Sequence, residues 1–323
     1  MQPSEIKRLA DAIKANVQQV VVGKSAVIDQ LLVALISSGH VLLEDVPGTG
    51  KTLLAKAMAA SVSGVFKRIQ FTPDLLPSDL SGINFYNQQA SRFEFRPGPV
   101  FANILLADEI NRATPRTQSS LLECMEERQV SIDGETRKLD RPFLVIATQN
   151  PIENAGTFPL PEAQLDRFLL KVSMGYPSFE EGKAIMQRFK TDNPLDKLQP
   201  VATAEEVTAA QDGYAQIRVH EDLYDYMLHL IERTRSHQDI AMGVSPRGSQ
   251  ALLRAVQVHA ILQGRDYVTP DDIKAMAKPV LAHRLILRAA TTRGAKGNPA
   301  EAILDQLLAE LVVPAEPQLQ GRG

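Results

Sequence analysis

The sequence predicts an α/β fold, a five-stranded and mostly parallel sheet flanked by helices, followed by an all-helical domain. Two observations predict it. Five short apolar or β-branched runs, at 41–43, 66–71, 103–107, 143–148 and 168–172, are separated by helical or irregular stretches. Strands alternating with helices build layered sheets, and such sheets bind ligands beyond the carboxyl ends of their strands. Past Gly175-Tyr176-Pro177 the pattern changes, and no convincing strand follows.

Taken in order, Ile6, Leu9, Ile13, Val17 and Val20 recur at spacings of three and four, so the chain opens with an amphipathic helix. The strands follow, up to a domain boundary placed near residue 177. Helices are then expected at 178–189, 205–217, 221–236, 245–263 and 270–289. Thr269-Pro270-Asp271-Asp272 is a strong helix start, with a hydroxyl cap, a first-turn proline and acids facing the dipole. The expected organisation is a 1–177 core, a 178–313 helical domain and a disordered tail at 314–323, rich in Pro, Gly and Gln. No internal repeat is present.

Composition narrows the classes. With 323 residues, 44% hydrophobic and 23% charged, the chain reads as an ordinary globular protein with room for two cores. A net charge of −3 gives no global basic footprint for nucleic acid. The single cysteine, Cys124, forbids an internal disulfide and suits a reducing compartment; packing is expected of it rather than catalysis. No uninterrupted apolar run reaches about 18 residues, and no signal pattern opens the chain, so a cytoplasmic location without a membrane span is expected. The six histidines lack metal-ligand spacing.

The chemistry begins at Val46-Pro47-Gly48-Thr49-Gly50-Lys51-Thr52, between a buried strand and a helix that continues through Leu53. Free backbone N–H groups and the dipole at a helix start attract phosphate, and glycines let several N–H groups converge on one anion. Lys51 adds a point charge for terminal phosphates, and the Thr52 hydroxyl suits Mg²⁺. Asp45 stands where the P-loop pattern places its first glycine. A second apolar strand ends in Asp108 and Glu109: phosphoryl transfer needs one carboxylate for hydrated Mg²⁺ and another group to orient the attacking water. A third ends in Thr148-Gln149-Asn150-Pro151, where Asn150 either holds the water or γ-phosphate or forms a turn before proline.

These motifs, with Ile110-Asn111-Arg112-Ala113 and Glu162-Ala163-Gln164-Leu165-Asp166-Arg167-Phe168, in this order, resemble an AAA+ ATPase of the MoxR family. The resemblance runs from Val22-Gly23 to at least Arg247. It implies an AAA+ P-loop core with an all-α lid, and ATP and Mg²⁺ as cofactors. It assigns Pro47, Gly48, Thr49, Gly50, Lys51, Thr52 and Leu53 to the nucleotide, Thr52 and Asp108 to the metal, and Glu109, Lys51 and Asn150 to hydrolysis. Arg167 matches the finger that reaches a neighbouring subunit's γ-phosphate, and Arg247 matches a lid sensor. Arg112 is either a sensor of the neighbour or a surface ion pair. Val22 and Gly23 either meet the adenine or form an ordinary turn.

The resemblance also implies a ring, hexameric in the family, that remodels or matures protein complexes. A partner with a von Willebrand factor A domain, and metal insertion into a client, come with it. A nucleic-acid motor like the MCM helicases and a magnesium-chelatase-like subunit are the alternatives. Two stretches, at 82–98 and 129–141, read as hairpins, either lining a pore or decorating the surface; Asp133-Gly134 is a strong hairpin turn.

Overall fold

The computed structural model describes residues 1–150, 156–190, 193–288 and 297–314; Pro151 and the expected tail beyond Pro314 lie outside them. Helix α1 (Pro3–Gln18) buries Ile6, Leu9, Ile13 and Val17, the stripe that its spacing dictates. Helix α2 (Ser25–Ile36) is apolar nearly all round and is buried continuously from Leu31 to Ile36. It packs between α1 and helices from the far end of the chain.

The sheet contains β1 (Val41–Glu44), β2 (Phe66–Gln70), β3 (Ile104–Asp108), β4 (Leu144–Gln149) and β5 (Leu170–Val172). Helix α3 (Lys51–Ser61) follows β1, and α4 (Pro115–Glu127) follows β3. The strand order is β5-β1-β4-β3-β2, and every neighbouring pair is parallel. Alternate residues serve opposite faces. Val41, Leu43, Ile104, Leu106, Leu144 and Ile146 enter one apolar core, and Leu42, Leu105, Ala107, Val145 and Ala147 enter the other.

The stretch at 82–98 is an antiparallel hairpin of Gly82–Asn87 with Arg92–Pro97. A second hairpin pairs Gln129–Ile132 with Glu135–Lys138. Its turn holds Asp133 at φ 51° and Gly134 at φ 84°, the left-handed pair that a tight hairpin requires. The hairpins touch: Asn84 Nδ2 donates to Asp133 at 2.7 Å, and the Arg137 guanidinium lies 4.1 Å from the Phe95 ring centre.

The C-terminal part contains α5 (Phe179–Arg188), α6 (Ala204–Gly213), α7 (Glu221–Ser236), α8 (Pro246–Leu262), α9 (Pro270–Leu281) and α10 (Pro299–Glu310). Strand structure there is confined, among the described residues, to short pieces: Ala202–Thr203 beside Val62–Ser63, and Ile240–Met242 beside Ile286–Leu287. Two expectations need correction. The helix expected at 270–289 ends at Leu281, because a turn at Ala282–Arg284 sends the Arg284 side chain into the sheet's edge. Helix α10 adds to the helices expected, although Asn298 caps it by accepting the Ala300 N–H at 3.1 Å. The start at Thr269 is as expected: Asp272 is fully buried and accepts the Thr269 N–H at 2.8 Å and Arg265 at 2.6 and 2.7 Å. Those partners offset its burial and hold its carboxyl at about 2.

Helices α6 to α10 share one apolar core with α1, α2 and α3, whereas α5 buries none of its residues. Arg284 fastens the same contact. Its buried guanidinium pairs with Asp166 at 2.6 Å and donates to the carbonyls of Phe168 at 2.7 Å and Leu169 at 3.2 Å. Burial lowers its pKa to about 10, so it stays charged at neutral pH.

His40, just before β1, is buried with a defined tautomer. Its Nδ1 accepts the Val145 N–H at 3.0 Å, which leaves Nε2–H to donate to the Met125 carbonyl at 3.0 Å. Burial, with Arg128 nearby, pushes its pKa down to about 3. The folded ring is therefore neutral, while an unfolded one takes up a proton below about 6.5. Its contribution to stability is complete above that value and is lost as pH falls towards 3. Urea unfolding between pH 7 and pH 5 should show stability falling by up to roughly 1.4 kcal/mol per pH unit from this group. In His40→Gln the slope should be shallower by about that amount; His283, also shifted down by burial, keeps part of it.

Candidate functional site

The apolar sheet ends abruptly in polar groups along its carboxyl edge. Between β1 and α3 the chain turns through Gly48 at φ 82° and Gly50 at φ 92°. A Cβ on Gly48 would meet no atom within 4 Å, so backbone conformation, not crowding, demands glycine there. Gly50 caps α3 without any side-chain acceptor, which leaves the first-turn amides of Lys51, Thr52 and Leu53 uncapped. The Lys51 ammonium lies back over the loop, donating to the Asp45 carbonyl at 2.6 Å and the Val46 carbonyl at 3.0 Å. Partial burial lowers its pKa, while the charges of Asp45, Asp108 and Glu109 pull it back up. All three acids are thus within electrostatic reach of Lys51.

At the end of β3, Thr148 Oγ1 donates to Asp108 Oδ1 at 2.5 Å and accepts the Glu109 N–H at 2.8 Å. One hydroxyl fixes both acids. Asp108 Oδ2 faces the Arg68 guanidinium at 2.7 Å. Glu109, with φ 57°, receives Gln70 Nε2 at 2.6 Å and Arg112 Nε at 3.0 Å on the same oxygen. Arg112 is thus in an ion pair within its own chain. Asn150 is buried at the end of β4, and its carbonyl accepts from Asn111 Nδ2 at 3.4 Å. Next to it, the Asp45 N–H donates to the Gln149 carbonyl at 3.3 Å.

The Asp45 side chain points away from the loop. Its carboxylate accepts from Ser173 Oγ at 3.1 Å, from the Met174 N–H, and from the Gly175 N–H at 3.2 Å. These residues lead out of β5 into the helical region. At the other side of that junction, Gly23 adopts φ 66°, and a Cβ there would meet Glu181 Oε1 at 2.0 Å. Lys24 Nζ donates to the Tyr176 carbonyl at 3.1 Å and lies 3.7 Å from Glu181. The Val22-Gly23 turn is thereby held against the start of α5.

Arg167 and Arg247 lie elsewhere. Both pair with Glu126 near the end of α4, Arg167 Nε at 3.2 Å and Arg247 through Nη2. Arg167 precedes β5, which runs parallel to β1 with Leu170 opposite Val41. It therefore sits at the amino edge of the sheet, while the Gly48–Lys51 turn follows the carboxyl end of β1. The four residues of β1 alone span about 13 Å.

Sequence reasoning did not single out Gln70, Arg68, Thr148 or Glu126 for the site. Gln70 had a usable signal, since it ends β2 and pairs in register with Asp108. Glu126 had none, because its two partners come from distant parts of the chain.

Residues 40–170 match the family described as ATPase family associated with various cellular activities (AAA), and residues 232–307 match the AAA lid domain. Chaperone MoxR1 of Mycobacterium tuberculosis is 42% identical over 96% of this chain and 81% of its own length. Protein MoxR of Paracoccus denitrificans is 34% identical over 95% and 97%. The chain belongs to the MoxR family of AAA+ ATPases. YeaC of Bacillus subtilis, an uncharacterized protein, is 48% identical over 93% of both chains. Among solved structures, a putative ATPase from Cytophaga hutchinsonii superposes with a TM-score of 0.89 at 39% identity, covering 96% of each chain. Among the described residues, no helix is long and apolar enough to cross a membrane.

The shared hydroxyl gives a direct test of this MoxR-family site. Thr148→Val keeps the shape but leaves a buried acceptor on Asp108 and the Glu109 N–H without their partner. Urea unfolding should show a loss of about 1–3 kcal/mol.

Proposed function

We propose that this protein hydrolyses ATP with Mg²⁺ as a ring of identical subunits, each nucleotide lying between two neighbours. The observation that carries the reading is the separation of its charged groups. Lys51, Asp108, Glu109 and Asn150 gather at the carboxyl edge of the sheet, whereas Arg167 and Arg247 share Glu126 at the other. Arginines so placed cannot serve the P-loop of their own subunit without a large rearrangement; a neighbour's site is the natural destination.

The roles follow from the chemistry. Backbone amides at Gly48–Leu53 cradle the phosphates, and Lys51 leaves the Asp45 and Val46 carbonyls to meet the terminal ones. Glu109 orients a water for attack on the γ-phosphorus, and Asn150 steadies water or phosphate from the end of β4. Thr52 and Asp108 are hard oxygen donors suited to Mg²⁺, and Asp108 already attracts a cation, the Arg68 guanidinium, to its Oδ2. Held by the Thr52 hydroxyl and the Asp108 carboxylate, such an ion would supply positive charge to the phosphates. Arg167 and Arg247 of the next subunit stabilise charge that builds during transfer. Val22 and Gly23 border the adenine, close to the start of α5.

Family resemblance supports six subunits, a chaperone role on protein complexes and a von Willebrand factor A domain partner with metal insertion as one outcome. Tyr86 and Phe93, exposed and in edge contact at 5.3 Å on the first hairpin, are the proposed grip on a client.

The test is ATP turnover by Glu109→Gln and Arg167→Ala, alone and mixed. Each alone should lose about 10²-fold or more in turnover, the scale set by a lost transition-state contact. The mixture should regain activity, because some interfaces then combine an intact acid with an intact arginine. Full activity of Arg167→Ala alone would remove it from the site.

A further inference from the structure

The P-loop residue that departs from the consensus is also the one that touches the hinge. Asp45 stands between two sets of contacts. Its backbone carbonyl receives Lys51 Nζ at 2.6 Å. Its carboxylate receives Ser173 Oγ at 3.1 Å, the Met174 N–H and the Gly175 N–H at 3.2 Å. A glycine would make only the first contact. The three hinge donors occupy both carboxylate oxygens, so the charge is turned away from the phosphate cradle and is satisfied in a nearly closed site.

We infer that Asp45 is a positioning residue that transmits the state of the P-loop to the segment joining core and lid. The inference rests on the nucleotide site proposed above. When Lys51 moves from the Asp45 and Val46 carbonyls to a phosphate, the loop loses its internal clamp at this residue. The loop backbone readjusts around Asp45, and the carboxylate carries the adjustment to Ser173, Met174 and Gly175. From there it reaches the junction of Tyr176 with Lys24, and of Lys24 with Glu181 at the start of α5. The path is short and continuous: one ammonium, one residue's two ends, three consecutive residues and an ion pair. The links up to Lys24 are directional hydrogen bonds and the last is an ion pair at 3.7 Å, so a shift at one end is less readily absorbed than by apolar packing.

The experiment compares the parent with Asp45→Gly, which restores the P-loop pattern and removes the carboxylate's contacts while keeping the carbonyl that Lys51 meets. Spin labels on Lys67→Cys in β2 and Glu232→Cys in α7, both exposed in the structure, report the core–lid distance by pulsed dipolar spectroscopy. Cys124 does not compete for label, since it is buried and its thiol is pushed up to about 12. Binding is read with a fluorescent ATP analogue, and the distance with a non-hydrolysable one plus Mg²⁺.

The parent should bind and shift its distance distribution. Asp45→Gly should bind within about threefold of the parent yet show the same distribution with and without nucleotide, and its kcat should fall about tenfold with KM little changed. A plain structural brace would lower thermal stability and leave the nucleotide-induced shift intact, which would overturn the inference. So would a parent that binds nucleotide without any shift. A parent that fails to bind nucleotide would instead sink the site reading itself, and this inference with it. If Asp45→Gly does not fold, Ser173→Ala takes its place. It removes one donor from outside the loop and should shrink the shift; an unchanged shift would equally overturn the proposal.

Discussion

A parallel sheet covered on both faces leaves polar side chains almost nowhere to go but the strand ends. In β1, β3 and β4 successive residues face two separate apolar cores, so neither face tolerates a charge. The first positions that can hold an acid or amide are those where the strands run out. Glu44-Asp45, Asp108-Glu109 and Gln149-Asn150 all occur at that point. Because the strands are parallel, those ends lie along one edge, and the acids, the amide and the loop lysine come together there. The site is a geometric consequence of how the sheet is buried.

That constraint also explains which parts were legible in the sequence. A strand ending in acids, a strand ending in Gln-Asn and a glycine turn before Lys-Thr are local patterns. Their meeting follows once the strands are known to be parallel. The strand limits fell within two residues for the same reason, since apolar runs mark them. What stayed hidden depends on distant pairs. The Asp45 side chain looked only like a flaw in a motif; its partners lie at 173–175, and no spacing rule links them to position 45. Glu126 gathers Arg167 from the core and Arg247 from the lid, again without any local signature. The helix at 270–281 was overextended because its sequence favours continuing, whereas Arg284 is drawn to the Asp166 and Phe168 carbonyls and breaks it.

The joint between the two parts limits what motion the molecule can make. Helices α6 to α10 do not stand apart on a flexible stalk, for they share an apolar core with α1 and α2. Opening that contact would expose Leu31, Leu35 and their neighbours to water, at a cost of about 25 cal/mol per Å² of apolar surface. Arg284, buried among core carbonyls and paired with Asp166, adds a polar lock. A wide swing is therefore disfavoured. A small slide or rotation that keeps the apolar faces together is the motion that packed interfaces permit.

For motion of that kind, directional contacts at the pivot matter more than their individual energies. Asp45 has such contacts on the loop side and on the hinge side, whereas a glycine would have only the first. A carboxylate in a phosphate-binding loop would ordinarily repel its ligand. Here both oxygens are taken by Ser173, Met174 and Gly175, so its charge is satisfied on the side away from the loop. The repulsion that remains is further reduced by Lys51, whose ammonium sits on the carbonyl of the same residue. On the proposal above, the departure from glycine adds a mechanical link at a loop position that lies next to both β4 and the exit from β5.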